Sequence, residues 1–201
     1  LIIYCLGAAS NMFKPFITLT ITLLGLSLIV ACTPANLSSE PLEVNEGSRS
    51  LGTVYNDQLI ENLANDSIRR SSTLLREAHF NVLAFNGIVL LSGQVPSEDT
   101  RTLAGAKAQL VVNVRKVHNA LTIGPASKTL VRANDALITT QVKTMMIGET
   151  MFPASRIKVF TESGVVYLMG LVTQAEAKWA INLASRARGV QKIVKVFEYI
   201  D

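Results

Sequence analysis

The sequence predicts an α+β fold of two tandem domains, each with the element order α-β-β-α-β and two helices packed on a small three-stranded mixed sheet. Three observations support this prediction: a segment that occurs twice, a turn signal at the same place in both copies, and an apolar pattern typical of strands beside each turn. The 201 residues are 49% apolar, which is enough for two modest cores and too much for a disordered chain.

The repeat rests on three pairs of matching segments. Residues 86–95 (NGIVLLSGQV) match residues 163–172 (SGVVYLMGLV) at an offset of 77. Two shorter pairs match at offsets of 78 and 76, namely 56–60 with 134–138 and 114–117 with 190–193. Offsets that drift by single residues are typical of loop insertions and deletions, so the pattern indicates a duplication. Because solenoid repeats run to roughly 20–50 residues, this longer period favours tandem domains.

A helix is predicted to open each copy. In the second copy Asn134 or Asp135 is expected to cap it, because a side-chain oxygen there accepts an otherwise unpaired backbone N–H, and the helix is expected to end at Ile147. A hairpin follows. Residues 156–162 alternate between apolar and polar and predict a half-buried strand, and the next strand is expected over 165–172.

Turn and capping signals place the remaining elements. Asn86-Gly87 is the strongest short hairpin signal, because both residue types tolerate positive φ, and Ser163-Gly164 stands at the same place in the second copy. Residues 173–176 (TQAE) have the capping-box pattern and open a second helix, which is expected to run to about Ala187. A last strand over 191–200 closes the second copy.

The N-terminal region has the pattern of a secretion signal. Residues 16–31 contain no charged side chain, and this run of 16 is shorter than the roughly 20 residues that a membrane-spanning helix needs. It fits the apolar core of a signal peptide, with Lys14 as its positive flank. We therefore expect a signal peptide over 1–31, with the biological start at Met12.

The uncharged run ends in Ile29-Val30-Ala31-Cys32, which resembles the bacterial lipobox. In that motif a small residue precedes a cysteine whose thiol takes a diacylglyceryl group, so the resemblance implies lipidation of Cys32. A buried cysteine at the end of a membrane anchor is the alternative, and the polar residues from Thr33 onward disfavour it. Because Thr33 is not the Asp that retains such lipoproteins in the inner membrane, the resemblance implies the periplasmic face of the outer membrane.

Composition sets the other boundaries. Residues 32–54 are rich in Pro, Ser, Gly and Glu without a lasting apolar period, which predicts a flexible tether. The first domain is expected over 55–124, a linker over 125–130, and the second domain over 131–201. So short a linker is compatible with packing of one domain against the other.

Both copies resemble the BON domain, in the Gly-x-Val-x-Leu-x-Gly-x-Val pattern of the hairpin and the Gly-Val pair before the last strand. The matching residues are Gly87, Val89, Leu91, Gly93, Val95 and Val114 in one copy and Gly164, Val166, Leu168, Gly170, Val172, Gly189 and Val190 in the other. Asn113 stands where the pattern has Gly, which a left-handed backbone permits. With the lipobox and two copies, nearly all of the mature chain resembles the dual-BON outer-membrane lipoproteins.

The sequence offers no residue set for catalysis, metal binding or a cofactor. His79 and His118 are its only histidines, and neither lies at metal-ligand spacing. His118 is expected to be exposed and His79 to be structural. The net charge of +4 is small and scattered, which disfavours nucleic acid as a partner. We therefore expect a non-enzymatic protein with no cofactor.

The candidate binding residues lie on the first helix of the second copy. On a wheel of about 100° per residue, one face is apolar and predicts the core side, namely Ile138, Val142, Met145 and Met146. The opposite side is expected to present Leu137, Thr140, Gln141, Lys143 and Thr144. An outward apolar side chain near a cation suits a lipid headgroup boundary, although a single exposed leucine is also ordinary on a soluble helix.

The resemblance favours lipid. Dual-BON lipoproteins bind anionic phospholipids (phosphatidylglycerol and cardiolipin) through this helix, so the resemblance implies lipid binding at these five residues and a role in outer-membrane integrity. The family helix has Trp at the position of Leu137 and a basic residue at that of Gln141, and both differences are expected to weaken insertion. The net charge of +3 over 131–201 assists binding. Trp179 is expected in the core or in a second contact patch.

Two other functions stay open on the sequence. One is a protein-interaction adaptor in the periplasm, serving envelope assembly, cell-wall remodelling or a secretin-like pore. The other is a soluble periplasmic protein without a lipid anchor.

Overall fold

A computed structural model describes residues 47–201, which belong to one compact unit that contains both copies. The predictions for the signal peptide over 1–31, the start at Met12, the lipidation of Cys32 and most of the tether lie outside the described residues. Within the described part of the chain, no helix combines the length and the apolar character needed to cross a membrane.

The element order α-β-β-α-β occurs twice, as predicted. The first copy consists of α1 (Leu51–Ser71), α2 (Thr73–Glu77), β1 (His79–Phe85), β2 (Ile88–Val95), α3 (Glu98–Gln109) and β3 (Lys116–Ile123). The second consists of α4 (Thr129–Gly148), a 3-10 turn (Ala154–Arg156), β4 (Ile157–Glu162), β5 (Val165–Val172), α5 (Gln174–Ser185) and β6 (Lys192–Tyr199). The short helix α2 has no counterpart in the sequence prediction.

Each copy has a three-stranded sheet of mixed pairing, which confirms the α+β class. In the first sheet, of order β1-β2-β3, the hairpin strands β1 and β2 are antiparallel, and β3 returns through α3 to lie parallel to β2. The second sheet repeats this arrangement with β4, β5 and β6. Asn86 and Ser163 open the two hairpin turns with φ of +51°, and Asn113 is also left-handed with φ of +68°. The capping box over residues 173–176 is present at the start of α5.

Both opening helices begin earlier than the sequence predicts. Helix α4 starts at Thr129, inside the segment expected as the 125–130 linker, and its N-cap residue makes no side-chain hydrogen bond, so no capping signal marks this start. Helix α1 starts at Leu51, inside the predicted 32–54 tether, because the side chain of Ser50 accepts a hydrogen bond from a backbone N–H of its first turn.

The side chain of Asp135 connects α4 to the second hairpin through hydrogen bonds. This side chain is buried, and its carboxylate accepts hydrogen bonds from the two backbone N–H groups of Ser163-Gly164 at 2.7 and 2.8 Å. Asp57 does the same for Asn86-Gly87 in the first copy, at 2.8 and 2.9 Å. The prediction that Asn134 or Asp135 caps α4 is therefore wrong, since the helix is already under way and the buried carboxylate is needed by the turn.

The two sheets pack against each other back to back. Each copy buries one face of its sheet under its own helices, in a core of its own. The other faces form a third apolar cluster of Phe85, Ile88 and Leu90 from the first copy and Tyr167, Met169 and Val196 from the second. The domains are therefore docked in a four-layer α/β/β/α stack, with α1 and α4 on opposite outer sides.

The described chain begins with a segment that touches both copies. Gly47 is buried with φ of +94°, and a Cβ there would lie 2.7 Å from the carbonyl oxygen of Leu171. Arg49 pairs with Asp57 at 2.7 Å and lies 3.9 Å from the centre of the Phe85 ring. This segment therefore joins the second copy to the first before α1 begins.

Candidate functional site

Helix α4 has an inner and an outer side, as the wheel predicts. On the inner side Ile138, Val142 and Met146 are buried in the core of the second copy, and Met145 packs partly buried against them. Trp179 of α5 is half-buried against the same core and meets Phe152 edge to face, with ring centroids 5.4 Å apart. The inner side therefore fixes the orientation of the helix.

Four of the five candidate residues face solvent. The exposed ones are Leu137 (62% exposed), Thr140, Lys143 and Thr144. Gln141 is half-buried, and its side-chain oxygen accepts a hydrogen bond from the backbone N–H of Arg188 at 3.3 Å. The first four share one surface, whereas Gln141 is turned toward the loop before β6.

Two apolar residues that the sequence reasoning missed extend this surface. Leu130 is 81% exposed and Ile147 is 74% exposed. At about 100° per residue, Leu130 lies about 20° and Ile147 about 80° from Leu137 around the helix. We call Leu130, Leu137 and Ile147 the α4 row. It extends about 26 Å along the helix, at about 1.5 Å per residue.

The helical period of the sequence could have identified these two residues. Leu130 repeats the position of Leu137 seven residues earlier, which is two turns of a helix. It was overlooked because the helix was expected to begin after the 125–130 linker. Ile147 is predicted as the last residue of the helix, and a wheel that ends at Met146 does not include the direction of its side chain.

A groove of about 700 Å³ borders the N-terminal half of the α4 row. Its lining combines Leu130, Ala133 and Leu137 of α4 with Ser163-Gly164 of the hairpin turn and with Gln191. The hydrogen bonds of Asp135 to the turn hold the two walls of the groove together. The groove is thus a fixed apolar depression beside exposed leucines.

The charges of α4 favour an anionic partner. Arg132, Asp135 and Lys143 are its only charged residues, and Lys128 directly precedes it. Asp135 is buried and engaged by the hairpin turn, whereas the three cations are exposed. The exposed surface of α4 therefore carries positive charge beside apolar side chains.

The titratable groups of the described region whose pKa values are shifted lie outside α4. A hydrogen bond from Arg115 holds the pKa of Glu198 below its ordinary value, across the junction of the two copies. Burial lowers the pKa of His118, with a smaller contribution from the charge of Lys116. The expectation that His118 is exposed is wrong, because it is half-buried on β3. Among residues 47–201, no three His, Cys, Asp or Glu side chains are grouped as metal ligands.

Comparison with known proteins identifies both copies. The BON domain family matches residues 56–125 and 134–201. The chain is 37% identical over 153 residues to "Outer membrane lipoprotein DolP" of Haemophilus influenzae, which covers 76% of this chain and 79% of the relative. It is 33% identical, with the same coverage, to a "21 kDa hemolysin" of Actinobacillus pleuropneumoniae. It is 29% identical to "Osmotically-inducible protein Y" of Escherichia coli K12, over 59% of this chain and 61% of the relative.

Proposed function

On the premise that this chain belongs to the BON-domain family and is similar to an outer-membrane lipoprotein, we propose that it binds anionic phospholipid through α4. In this proposal Cys32 carries the lipid anchor, the folded copies lie on the periplasmic face of the outer membrane, and phosphatidylglycerol or cardiolipin is the ligand. The protein performs no chemistry on it and uses no cofactor. The interaction supports the integrity of the outer membrane.

The α4 row, beside exposed cations, is the observation that carries the proposal. Leu137 and Leu130 can enter the acyl boundary of a leaflet while Lys143 meets lipid phosphates. Full burial of a leucine side chain contributes about 1.5–3 kcal/mol, and each cation near an anionic leaflet contributes about 1 kcal/mol. Together these contributions to the binding free energy suffice for membrane binding, and more so when a lipid anchor already holds the domain close to the membrane.

Vesicle co-sedimentation of residues 33–201, which lack the anchor, tests the lipid proposal. We expect binding to vesicles containing phosphatidylglycerol or cardiolipin and little binding to neutral phosphatidylcholine vesicles. Leu137→Glu combined with Lys143→Glu removes insertion and reverses a charge, a loss of about 3 kcal/mol or more than 100-fold. Its unfolding temperature should stay unchanged, because both side chains are exposed.

A matched control lies on the opposite outer side of the stack. Leu59 of α1 is the counterpart of Leu137 in the repeat and is 43% exposed. Leu59→Glu adds the same charge as Leu137→Glu but should leave vesicle binding within about twofold of the unsubstituted protein. The single variant Leu137→Glu is therefore measured beside it and should weaken binding. Equal binding to neutral and anionic vesicles, or equal losses in Leu59→Glu and Leu137→Glu, would contradict the proposal.

The anchor is tested separately. Metabolic labelling with palmitate should mark the mature protein, and Cys32→Ala should remove the label and release the protein from the membrane fraction. A label that persists in the Cys32→Ala variant would refute lipidation at this residue. An unlabelled wild-type protein would favour the soluble periplasmic alternative.

A second candidate function, a periplasmic protein-interaction adaptor, is favoured by the outer side of α1. Leu51, Tyr55, Leu59 and Leu63 recur there every four residues and are all exposed. The arginines of α1 lie at its far end, where Arg70 pairs with Asp66 at 2.8 Å. The cation next to the start of the row, Arg49, is paired with Asp57 at 2.7 Å. An apolar row beside cations that already have carboxylate partners suits a protein surface better than an anionic lipid. Capture of one stoichiometric partner that survives detergent, and its loss in Tyr55→Glu, would support this function.

A further inference from the structure

A cleft of about 410 Å³ lies where the first copy meets α4. Both copies line it, with His79 and Asn81 from β1, Arg132 and Thr140 from α4, and Phe160 and Glu162 from β4. Its volume is in the range of small-ligand sites. The cleft exists only because the two sheets are stacked, since neither copy supplies all of its walls.

Arg132 and His79 place nitrogen groups together in the cleft. The guanidinium Nη1 of Arg132 lies 3.4 Å from Nδ1 of His79, and its Nη2 donates a hydrogen bond to Thr129 at 3.2 Å. Within residues 47–201, none of the ion pairs includes Arg132. A guanidinium without a carboxylate partner, next to an imidazole, is suited to binding a phosphate.

The two carboxylates that line the cleft already have donors. Glu162 is buried and accepts hydrogen bonds from Asn81 at 3.2 Å and from Gln94 at 2.9 Å, both in the first copy. Asp135 is occupied by the N–H groups of the hairpin turn. An incoming ligand therefore meets the donors of Arg132 and His79 rather than vacant carboxylate oxygens, which suits a ligand that offers acceptor oxygens.

The cleft borders the proposed membrane surface. Thr140 lines it and also belongs to the outer side of α4 that carries the α4 row. A lipid whose acyl chains lie at Leu137 can therefore place its headgroup beside Arg132 without leaving the surface. Phe160 supplies an apolar wall. The hydroxyl of Thr140 donates to the carbonyl oxygen of Ala136 at 2.9 Å, so its oxygen remains as an acceptor for a ligand.

We propose that this cleft between the copies binds the phosphodiester headgroup of an anionic phospholipid, held by Arg132 and His79. The proposal rests on the lipid binding proposed above and makes it depend on both copies. Arg132 binds the phosphate oxygens, and the hydroxyl of Thr140 faces the glycerol part of the headgroup. The first copy then contributes His79 directly to a site that α4 alone does not complete.

Two measurements on residues 33–201 test the cleft. Co-sedimentation compares the unsubstituted protein, Arg132→Gln, His79→Gln and the control Lys128→Gln, which removes an equal charge next to the same helix and outside the cleft lining. Loss of one surface charge near an anionic leaflet weakens binding about fivefold, which is the change expected for Lys128→Gln. We expect at least 30-fold for Arg132→Gln and an intermediate loss for His79→Gln, with unchanged unfolding temperatures. NMR then follows the ring signals of His79 during titration with soluble glycerophosphoglycerol and, separately, with inorganic phosphate.

The outcomes separate this inference from the function on which it rests. Saturable shifts of His79 with glycerophosphoglycerol, absent in Arg132→Gln and kept in Lys128→Gln, support the headgroup site. Vesicle binding that falls equally in Arg132→Gln and Lys128→Gln, without shifts of His79, overturns the cleft site and leaves lipid binding by α4 intact. Shifts with inorganic phosphate in a protein that ignores anionic vesicles show a free-phosphate site and overturn both proposals. No vesicle binding and no shifts likewise overturn both.

Discussion

The stacked sheets predict that the two copies unfold together, and Met169 is the position at which to test this. Met169 is fully buried on the face of β5 that meets the first copy, in a cluster with Phe85 and Leu90. Met169→Ala should destabilise the protein by about 2–5 kcal/mol, the usual cost of truncating a buried methionine. Met169→Asp places a carboxylate between the sheets, where its cross-strand neighbour Lys158 is already paired with Glu61 of the first copy, so this substitution costs more and should separate the copies.

Urea unfolding followed by two probes distinguishes coupled from independent copies. Trp179 is the only tryptophan in the chain, so its fluorescence reports the second copy, whereas circular dichroism reports the helices of both. In the unsubstituted protein both probes should give one midpoint and one slope. In Met169→Asp they should separate, and each transition should have roughly half the original slope, because the slope scales with the surface exposed on unfolding.

Leu168→Ala is the matched control for this experiment. Leu168 is the neighbour of Met169 in β5, equally buried, but it faces the helices of its own copy. Its truncation should lower the midpoint by a similar amount while both probes stay coincident. Two separate transitions in the unsubstituted protein would refute the coupling, as would coincident transitions in Met169→Asp.

The remaining predictions concern an ion pair and two backbone positions. The pKa of Glu198 is lowered in the folded state, chiefly by its hydrogen bond from Arg115. The pair therefore stabilises the protein above the ordinary pKa of a glutamate, and this effect is lost as the pH falls through the lower folded pKa. The difference in urea midpoint between the unsubstituted protein and Arg115→Gln should therefore be largest near neutral pH and vanish in acid; a constant difference would contradict this. Ser163→Asn should raise stability by up to about 1 kcal/mol in thermal unfolding, because φ is +51° there and Asn tolerates that conformation better. Gly93→Ala should cost more than about 2 kcal/mol, since φ is +120° and its Cβ would lie 2.4 Å from a carbonyl oxygen of β1; Gly148→Ala, where a Cβ meets open space, should not destabilise.

The elements that were predicted from sequence are those specified by neighbouring residues. The turns at Asn86-Gly87 and Ser163-Gly164, and the capping box over 173–176, are local signals, and all three are present in the structure. The start of α4 was missed because its N-cap, Lys128, makes no side-chain hydrogen bond that a sequence pattern could reveal. Asp135 was misassigned because the turn that it binds lies 28 residues away in sequence.

The sequence contains a signal for the docking of the sheets in its central strands β2 and β5. Strand β5 reads VVYLMGLV, an unbroken apolar run, and strand β2 is buried along its full length. A strand with one face in solvent alternates between apolar and polar, so a continuous run indicates cover on both faces. The same reasoning could have located the third apolar cluster, although not the partner that covers it. The cleft at Arg132 depends on that stacking and was therefore beyond prediction from the sequence.

The contact of Gly47 with the second copy determines where a pull on the preceding chain would first act on the fold. The chain continues from Gly47 into the first copy, but Gly47 itself packs closely against the backbone of Leu171 in the second copy. Tension on the chain ahead of this residue is therefore borne at the end of β5 before it reaches α1. In the proposed lipid-anchored protein, the copy that carries α4 would therefore be loaded before the first copy.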